Sequence, residues 1–322
     1  MLRFLAASMV LFTHATFYVS TRIDNSVSVL DWAGHGVAIF FVISGFIMAL
    51  TSQPLATREN GYMHFIKRRL IRIVPLYWTV NVIKIILLFV IPSSIFANPD
   101  ISNIILSLLF IPSHNAAGAI ETFYGVGWTL NFEMFFYAIF ALALFFCVRI
   151  SLFVSVILVL TASFSLLRQD YWPAVSFLLN PIVLNFLWGV LIAELVIRNM
   201  HVPNTISWLL ICTGIVALLL PPPVNTYGIQ YAALVAGIVL LEPELGDRIP
   251  NFLVFGGNAS YSLYLIHPLI GAAIATILAK FEVISASWSI AVIIIFSLVA
   301  ASFVYSTYER PLVTYLKSRF SS

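Results

Sequence analysis

The stretch LRFLAASMVLFTHATFYVS (residues 2–20) decides how the chain is built. Read as a helix, it is apolar on every side except at Arg3 and His14. Their spacing places both side chains on nearly one face, about 16 Å apart along the axis. If Arg3 lies at a membrane surface, His14 lies about halfway through the hydrocarbon, where an ionisable group indicates a functional site. The structural alternative is a buried histidine satisfied by a neighbouring helix.

Composition extends this interpretation to the whole chain. The 322 residues are 61% hydrophobic and only 9% charged, whereas a soluble domain carries about a quarter of charged residues. The sequence therefore predicts an all-α, polytopic integral membrane protein, with a single transmembrane domain over residues 1–322. Cys147 and Cys212 both lie in apolar segments, so no disulfide framework is expected.

Apolar runs of suitable length predict about ten transmembrane helices. They lie at roughly 4–20, 36–52, 73–91, 128–148, 151–167, 174–197, 205–220, 227–241, 251–276 and 287–308. A triple proline at 221–223 marks the turn between two of the shorter runs. The segment 101–112 is apolar but too short to cross, and whether it crosses stays open, since crossing would invert the topology after it.

Lysine and arginine indicate the orientation of the chain, because cytoplasmic loops carry an excess of both. The densest basic cluster follows the second predicted span, so we place this loop and both termini in the cytoplasm. With ten spans most other basic residues fall on the same side, which favours ten over nine or eleven. The cluster consists of Arg58, Lys67, Arg68, Arg69 and Arg72.

Three arginines of this cluster open the third span in HFIKRRLIRIVPLYW (64–78). Arg68, Arg69 and Arg72 are helical neighbours at i,i+3 and i,i+4. Topological anchoring alone is one interpretation, since such residues anchor most membrane proteins. Arginine forks also match phosphate oxygens. With Arg3 at the same depth, the sequence suggests a cytoplasmic pocket for a phosphorylated ligand.

A carboxylate lies inside the apolar run WTLNFEMFFY (128–137). Asn131 and Glu133 follow Trp128, which suits a membrane interface. A carboxylate at that depth needs a partner or a function. His14 approaches from the opposite side and is the expected partner of Glu133.

Two other stretches contribute small and polar residues. GHGVAIFFVISGFIM (34–48) contains glycines that predict close helix packing. GNASYSLYLIHPLIG (257–271) ends its polar series at His267, just before the helix-interrupting Pro268. Helix packing and a kink are the structural alternatives there. At the closing TYERP (307–311), Glu309 is placed to position one of the arginines.

Taken in order, these elements resemble the membrane-bound acyltransferases called acyltransferase family three, and most closely the exopolysaccharide acyltransferases. The resemblance runs from residue 3 to residue 311. One departure is Ala38, where many relatives carry aspartate or another polar residue. The matching residues are Arg3 with His14, Ser44–Gly45–Phe46, Arg68 with Arg69, Arg72 and Pro75, Trp128–Thr129–Leu130 with Glu133, Ser260–Tyr261 with Tyr264 and His267, and Glu309–Arg310–Pro311.

The resemblance implies transfer of an acyl group, most often acetyl, from cytoplasmic acyl-CoA to a hydroxyl of an exported or cell-surface polysaccharide. It implies a multi-pass protein of the bacterial inner membrane. Donor phosphates would meet Arg3, Arg68, Arg69 and Arg72. His14 would act as general base or as transient acyl carrier, oriented by Glu133. Candidates for contacting the acceptor or the oxyanion are Trp128, Asn131, Asn258, Tyr261, Tyr264 and His267.

The expected partners are acetyl-CoA or another short acyl-CoA, a glycan in free or lipid-linked form, and the lipid bilayer. No metal and no nucleic acid are expected, and a homo-oligomer is left open. A proton-coupled membrane transporter of a polysaccharide precursor or small solute is the alternative, because it too would explain buried histidine and glutamate. Transporters often show repeated halves and paired broken helices, and neither is evident in this sequence.

Overall fold

The computed structural model describes residues 1–90, 100–200, 202–219, 228–281 and 285–320. Within these ranges the secondary structure is helical, apart from an isolated bridge between His114 and Ile120. The predicted all-α membrane fold is confirmed. The predicted proline turn at 221–223 lies outside the described residues, as do the ends of three predicted spans.

Fourteen α-helices follow one another in the described part of the chain. They are α1 (Leu2–Arg22), α2 (Gly36–Ser52), α3 (Gly61–Val90), α4 (Ile101–Leu108), α5 (Trp128–Phe145), α6 (Ile150–Phe164), α7 (Leu184–Ile197), α8 (Asn204–Leu219), α9 (Ile229–Leu240), α10 (Glu242–Leu245), α11 (Asn251–Asn258), α12 (Ser260–Lys280), α13 (Ala286–Val304) and α14 (Arg310–Phe320).

Seven helical segments of the described chain are long and apolar enough to cross a bilayer, or eight if the bent pair α9 and α10 forms one span. Two shorter apolar segments, Pro181–Ile197 and Asn204–Leu218, fall at predicted spans as well. The count of about ten and the cytoplasmic side of both termini stay predictions. Helix α4 has eight residues, about 12 Å, which is too short to cross.

Helix α3 begins twelve residues before the predicted start at residue 73. The predicted span began after the basic cluster, because the cluster is hydrophilic. Lysine and arginine are nevertheless good helix formers, and their charged heads reach water from a helix end. The 30-residue helix is about 45 Å long. The predicted span 251–276 also differs, because the helix breaks at Ala259 between α11 and α12.

Glycines bring α2 against two neighbours, as predicted. A Cβ on Gly36 would lie 2.3 Å from the backbone oxygen of Ala6 in α1, and one on Gly45 would lie 2.1 Å from that of Phe186 in α7. Gly189 of α7 makes a similar close approach to α2, since a Cβ on it would lie 2.0 Å from the backbone oxygen of Val42. These approaches hold α2 at the centre of the bundle.

A segment between α3 and α5, residues 100–127, forms a cap over one end of the bundle. Trp78 donates to the backbone oxygen of Leu108 over 2.9 Å, and Lys84 donates to that of Phe123. The Tyr124 hydroxyl reaches across to the backbone oxygen of Leu265 in α12. The cap is therefore bonded both to α3 and to the helix that carries His267.

The chain ends with a continuous helical segment that changes hydrogen-bond register once. Residues Tyr305–Glu309 form a π-turn between α13 and α14. Such turns occur frequently at functional sites. Glu309, the last residue of the turn, is only 7% exposed and accepts a hydrogen bond from the Ser262 hydroxyl of α12.

Candidate active site

A large cavity, here called the vestibule, opens at the end of the bundle where α1 begins. It encloses about 1120 Å³ and is lined by Arg3, Arg72 and Glu309 among others. The segment around Glu242 and Glu244 and the start of α14 complete its wall. The space suits a ligand of nucleotide size, because pockets for drug-sized ligands enclose about 300–1,000 Å³.

A narrow central cavity of about 70 Å³ continues from the vestibule into the bundle. Arg3, Ile43, Ile47 and Arg72 line both cavities, so the two adjoin at the arginines. Apolar and polar side chains both line the rest of the central cavity. The polar ones are Ser44, Arg69, Thr129, Glu133, Tyr137, Ser260, Tyr261 and Tyr264.

Arg3 and Arg72 meet at this junction, as the sequence predicted. Both side chains are half-buried, and Arg72 and two carboxylates lie within electrostatic range of Arg3. Neither guanidinium makes a hydrogen bond or a close ion pair with any described residue. A buried arginine normally has its donors satisfied, whereas these two arginine forks face a cavity with their donors unused, an arrangement that suits an anion.

The other two predicted donor residues differ from each other. Arg69 lines the central cavity, donates to Thr51 Oγ1 over 2.6 Å and packs on the rings of Phe65 and Tyr137. Arg68 is exposed and lines neither cavity. The cavities lie on the Arg69 side of Arg72, so Arg68 is placed on the opposite flank of the helix.

The expected pairing of Glu133 with His14 is not observed. Glu133 Oε1 accepts hydrogen bonds from the Ser44 and Tyr137 hydroxyls, each over 2.7 Å. Glu133 lies on α5 and faces α2, whereas the polar contacts of His14 are with its own helix and with α12. The carboxylate therefore belongs to the arginine-lined cavity, where Arg3 and Arg69 are its electrostatic neighbours.

His14 and His267 form a pair in the interior of the bundle. Their ring centroids lie 4.9 Å apart in a T-shaped arrangement. Nδ1 of His14 lies 2.9 Å from the backbone oxygen of Val10, and Nδ1 of His267 lies 3.0 Å from that of Leu263. His14 is half-buried and His267 is 1% exposed. Neither lines the vestibule or the central cavity.

Tyr264 separates the histidine pair from the central cavity. Its ring lines that cavity and lies 6.1 Å from the His267 ring and 5.7 Å from Phe40. Its hydroxyl bonds with Thr129 Oγ1 over 2.9 Å. The Tyr261 hydroxyl donates to the backbone oxygen of Ile73 over 2.7 Å. Both hydroxyls are thus engaged, which leaves neither as a ready oxyanion donor in this conformation.

The remaining predicted contact residues are dispersed. Trp128 packs edge-to-face on Phe132 and Phe177. Asn131 is buried, and its Oδ1 has no hydrogen-bond partner among the described residues. Asn258 is exposed on the vestibule wall. The break at Ala259 puts it at the Arg3 end of the bundle, and its contact with the acceptor or the oxyanion stays a prediction.

Sequence reasoning missed Tyr137 as a site residue and gave Ser44 only a packing role. Both hydroxyls bond to Glu133, and Ser44 lies in the SGF element that carried the resemblance. Glu309 was predicted beside the arginines, and it lines the vestibule with Arg3 and Arg72 as electrostatic neighbours. Within the described ranges, no group of three or more His, Cys, Asp or Glu side chains is arranged to hold a metal ion.

Comparison with known proteins identifies the class of protein. Residues 1–307 match the family model described as an acyltransferase domain, Acyl_transf_3. The chain is also similar to the exopolysaccharide production protein ExoZ of Rhizobium meliloti (strain 1021), with 33% identity over 243 residues that cover 72% of this chain and 74% of ExoZ. No solved structure matches the chain significantly. The chain therefore belongs to the Acyl_transf_3 family of acyltransferases.

Proposed function

We propose that this membrane acyltransferase moves an acetyl group from cytoplasmic acetyl-CoA to a hydroxyl of an exported polysaccharide, in the bacterial inner membrane. Family membership supports the acyltransferase activity. The similarity to an exopolysaccharide production protein supports a glycan acceptor. The nature of the donor follows from the two cavities.

The observation that carries the proposal is the pair of unengaged arginines where the vestibule meets the central cavity. Coenzyme A has phosphates at one end and a thin arm, with two amide groups, that ends in the thioester. The vestibule is wide and charged, and the central cavity beyond Arg3 and Arg72 is narrow and has both apolar and polar walls. The order of the two cavities matches the order of the groups along acetyl-CoA. The phosphates would lie at the arginines, the arm would lie in the central cavity, and the thioester would point toward Tyr264.

The donor comes from the cytoplasm, because the arginine-rich end of the bundle is the end that the distribution of basic residues assigns to that side. Lys317 and Arg310 also line the vestibule. They add positive charge to the mouth through which an anionic donor enters. Glu309 offsets part of that charge near Arg3 and Arg72. In this proposal it keeps the two guanidinium groups apart and oriented before the phosphates arrive.

Glu133 has a different role from the one the sequence suggested. Since its carboxylate is held by Ser44 and Tyr137, it shapes the central cavity and attracts Arg3 and Arg69. It does not touch His14. The backbone oxygen of Val10 takes the place of the carboxylate of a triad, because it holds Nδ1–H of His14 and leaves Nε2 unprotonated.

His14 carries the chemistry in this proposal. Its Nε2 takes the proton of the acceptor hydroxyl while the hydroxyl oxygen bonds to the thioester carbonyl carbon. The carbon–sulfur bond then breaks, and the thiolate leaves with a proton as free coenzyme A. Alternatively, His14 Nε2 first takes the acyl group and then passes it to the hydroxyl. In either case Tyr264 and Phe40 must move aside, because they stand between the central cavity and the histidines.

The test is acetyl transfer by the purified protein in lipid vesicles. Radiolabelled acetyl-CoA is supplied on the side of the arginine cluster and the deacetylated polysaccharide on the other. We expect label in polysaccharide esters with the wild type and none with His14→Gln. A transporter would instead move solute or polysaccharide across the vesicle without forming an ester. Such movement without acetyl transfer would overturn the proposal.

A further inference from the structure

We propose that His267 is a second catalytic residue, which passes the proton collected by His14 to the departing thiolate of the donor. This inference rests on the proposed acyl transfer and extends it. It begins from the contact between two helices far apart in sequence, α1 and α12, that places one imidazole against the other.

The backbone contacts of the two rings fix their protonation. A carbonyl oxygen can only accept a hydrogen bond, so a ring nitrogen 2.9–3.0 Å from one must carry a hydrogen. Both histidines make this contact through Nδ1, to the carbonyl four residues earlier. In the neutral state each ring therefore has its lone pair at Nε2. Both rings are therefore neutral bases that carry a hydrogen at Nδ1 and can accept a proton at Nε2.

The Nε2 atom of His267 is buried and has no hydrogen-bond partner among the described residues, a state it shares with other buried atoms such as Nδ1 of His35. A buried polar atom left in this state costs stability. What distinguishes His267 is that a second imidazole, that of His14, lies against it. The pair can accept one extra proton, because both rings keep a free lone pair at Nε2 and their centroids lie 4.9 Å apart.

The neighbours of the two rings give the pair a direction. The other ring contact of His14 is Tyr18, one turn further from Arg3, at a centroid distance of 6.3 Å. The other ring contact of His267 is Tyr264, which lines the central cavity. His14 thus faces away from the donor cavity and His267 faces toward it. An acceptor hydroxyl and a donor thioester approaching from opposite ends would meet different members of the pair.

The proton balance follows from this arrangement. The acceptor O–H bond breaks and its proton goes to His14 Nε2, while the oxygen bonds to the thioester carbon. The carbon–sulfur bond breaks and leaves a thiolate on the His267 side. The proton passes from His14 Nε2 to His267 Nε2 and then to sulfur. Both imidazoles return to neutrality, and no charge remains in the apolar interior.

Two substitutions separate this role from packing or simple hydrogen bonding. His267→Leu keeps the apolar volume, and His267→Gln offers a hydrogen-bond acceptor near the Nε2 position, but neither can relay a proton. We expect both to lower kcat for acetyl transfer at least ~100-fold, the scale of acid–base catalysis. The dissociation constant of coenzyme A should stay within twofold. His35→Gln, which removes a histidine outside both cavities, is the matched control and should keep wild-type kcat.

Each result decides the question. Near-wild-type kcat in His267→Leu assigns a packing role, and near-wild-type kcat in His267→Gln assigns a hydrogen-bonding role; either overturns the relay. Coenzyme A binding shows that a variant is folded. If His267→Leu does not fold, His267→Gln, which is the closer isostere, tests the relay by itself. An inactive wild type that binds coenzyme A would reject the proposed function itself, whereas an active wild type with an active glutamine variant would reject only the relay.

Discussion

The Ser44 hydroxyl donates a hydrogen bond of 2.7 Å to Glu133 Oε1 and so joins α2 to α5 across the central cavity. The same oxygen accepts the Tyr137 hydroxyl over the same distance. Two donors on one carboxylate oxygen hold Glu133 against the cavity wall. The SGF element therefore supplies a polar contact through its serine and a close helix approach through its glycine.

A double-mutant cycle tests this assignment of Glu133. We expect Ser44→Ala and Glu133→Ala to be non-additive in the free energy of unfolding, with a coupling of about 0.5–3 kcal/mol, because the two side chains touch. His14→Ala and Glu133→Ala should be additive within about 0.5 kcal/mol. Thermal melting in detergent of the wild type, the three single variants and the two double variants measures both. A coupling between His14 and Glu133 as large as that of Ser44 would restore the triad-like pairing.

Donor affinity should depend on Arg3 and Arg72. Alanine at either position removes a charged hydrogen bond worth roughly 1.5–3 kcal/mol, so coenzyme A binding should weaken about ten- to a hundredfold. Lysine should restore only part of it, since the fork geometry is lost. Isothermal titration gives the dissociation constants. Arg68→Ala is the matched control from the same turn and should bind normally, because Arg68 is exposed outside both cavities.

Acyl transfer should depend on His14. His14→Gln should lose transfer at least ~100-fold, because an amide can accept a hydrogen bond but cannot take the proton of a hydroxyl. Coenzyme A binding should stay normal, since His14 lines neither cavity. The two measurements are made on one preparation. Near-normal transfer by this variant would make His14 a packing residue.

Gly45→Ala should destabilise the bundle. The added methyl group would lie 2.1 Å from the backbone oxygen of Phe186, so α2 and α7 would have to separate. Overpacking of this kind costs about 1–3 kcal/mol. A lower melting temperature in detergent is the expected result. Gly125→Ala meets nothing within 4 Å and serves as the control, and equal melting of the two variants would contradict close packing at α2.

Orientation can be tested separately from chemistry. A single cysteine introduced at Arg58 in a variant that lacks Cys147 and Cys212 should resist a membrane-impermeant thiol reagent in intact cells, because positive charge places that loop inside. The residue lies in the short connection between α2 and α3. Lysis of the cells should make the site reactive. Ready labelling from outside would reverse the topology and place the vestibule on the exported side.

Local spacing was enough to predict the arginine junction, but not the pairing of the carboxylate. Arg3 is the second residue of α1, and Arg72 is the last residue of the basic cluster before the third predicted span, so charge and hydropathy place both at the same end of the bundle. Ser44 and Glu133 are 89 residues apart, and the choice between Ser44 and His14 as partner depends on which helices are neighbours. Hydropathy does not contain that information, because the helices that carry these three residues, α1, α2 and α5, are apolar on most of their faces.

Polar residues within one apolar run also proved to serve different ends of the bundle. The stretch 257–271 looked like one span with one role. The break at Ala259 turns Asn258 to the vestibule and leaves His267 in the interior. The Tyr261 hydroxyl, a predicted oxyanion donor, instead donates a hydrogen bond to the backbone oxygen of Ile73 in α3. Gly256, Gly257 and Asn258 precede the break and are typical of a helix end, but the apolar residues on both sides made the stretch look like one continuous span.

The π-turn at Tyr305–Glu309 gives the last part of the chain a place where its length can change without turning the residues beyond it. A π-turn accommodates one residue more than the α-helical repeat. Because the extra residue is taken up within the turn, deleting Thr307 would return the segment to an uninterrupted α-helix and leave the residues beyond it facing as before. Arg310 and Lys317 would stay on the vestibule wall, whereas a one-residue deletion in the regular helix α14 just after Arg310 would rotate Lys317 by about 100°. Coenzyme A binding should therefore survive the deletion of Thr307 better than the deletion in α14, and a homologue with a one-residue gap at the π-turn should keep the same charged mouth.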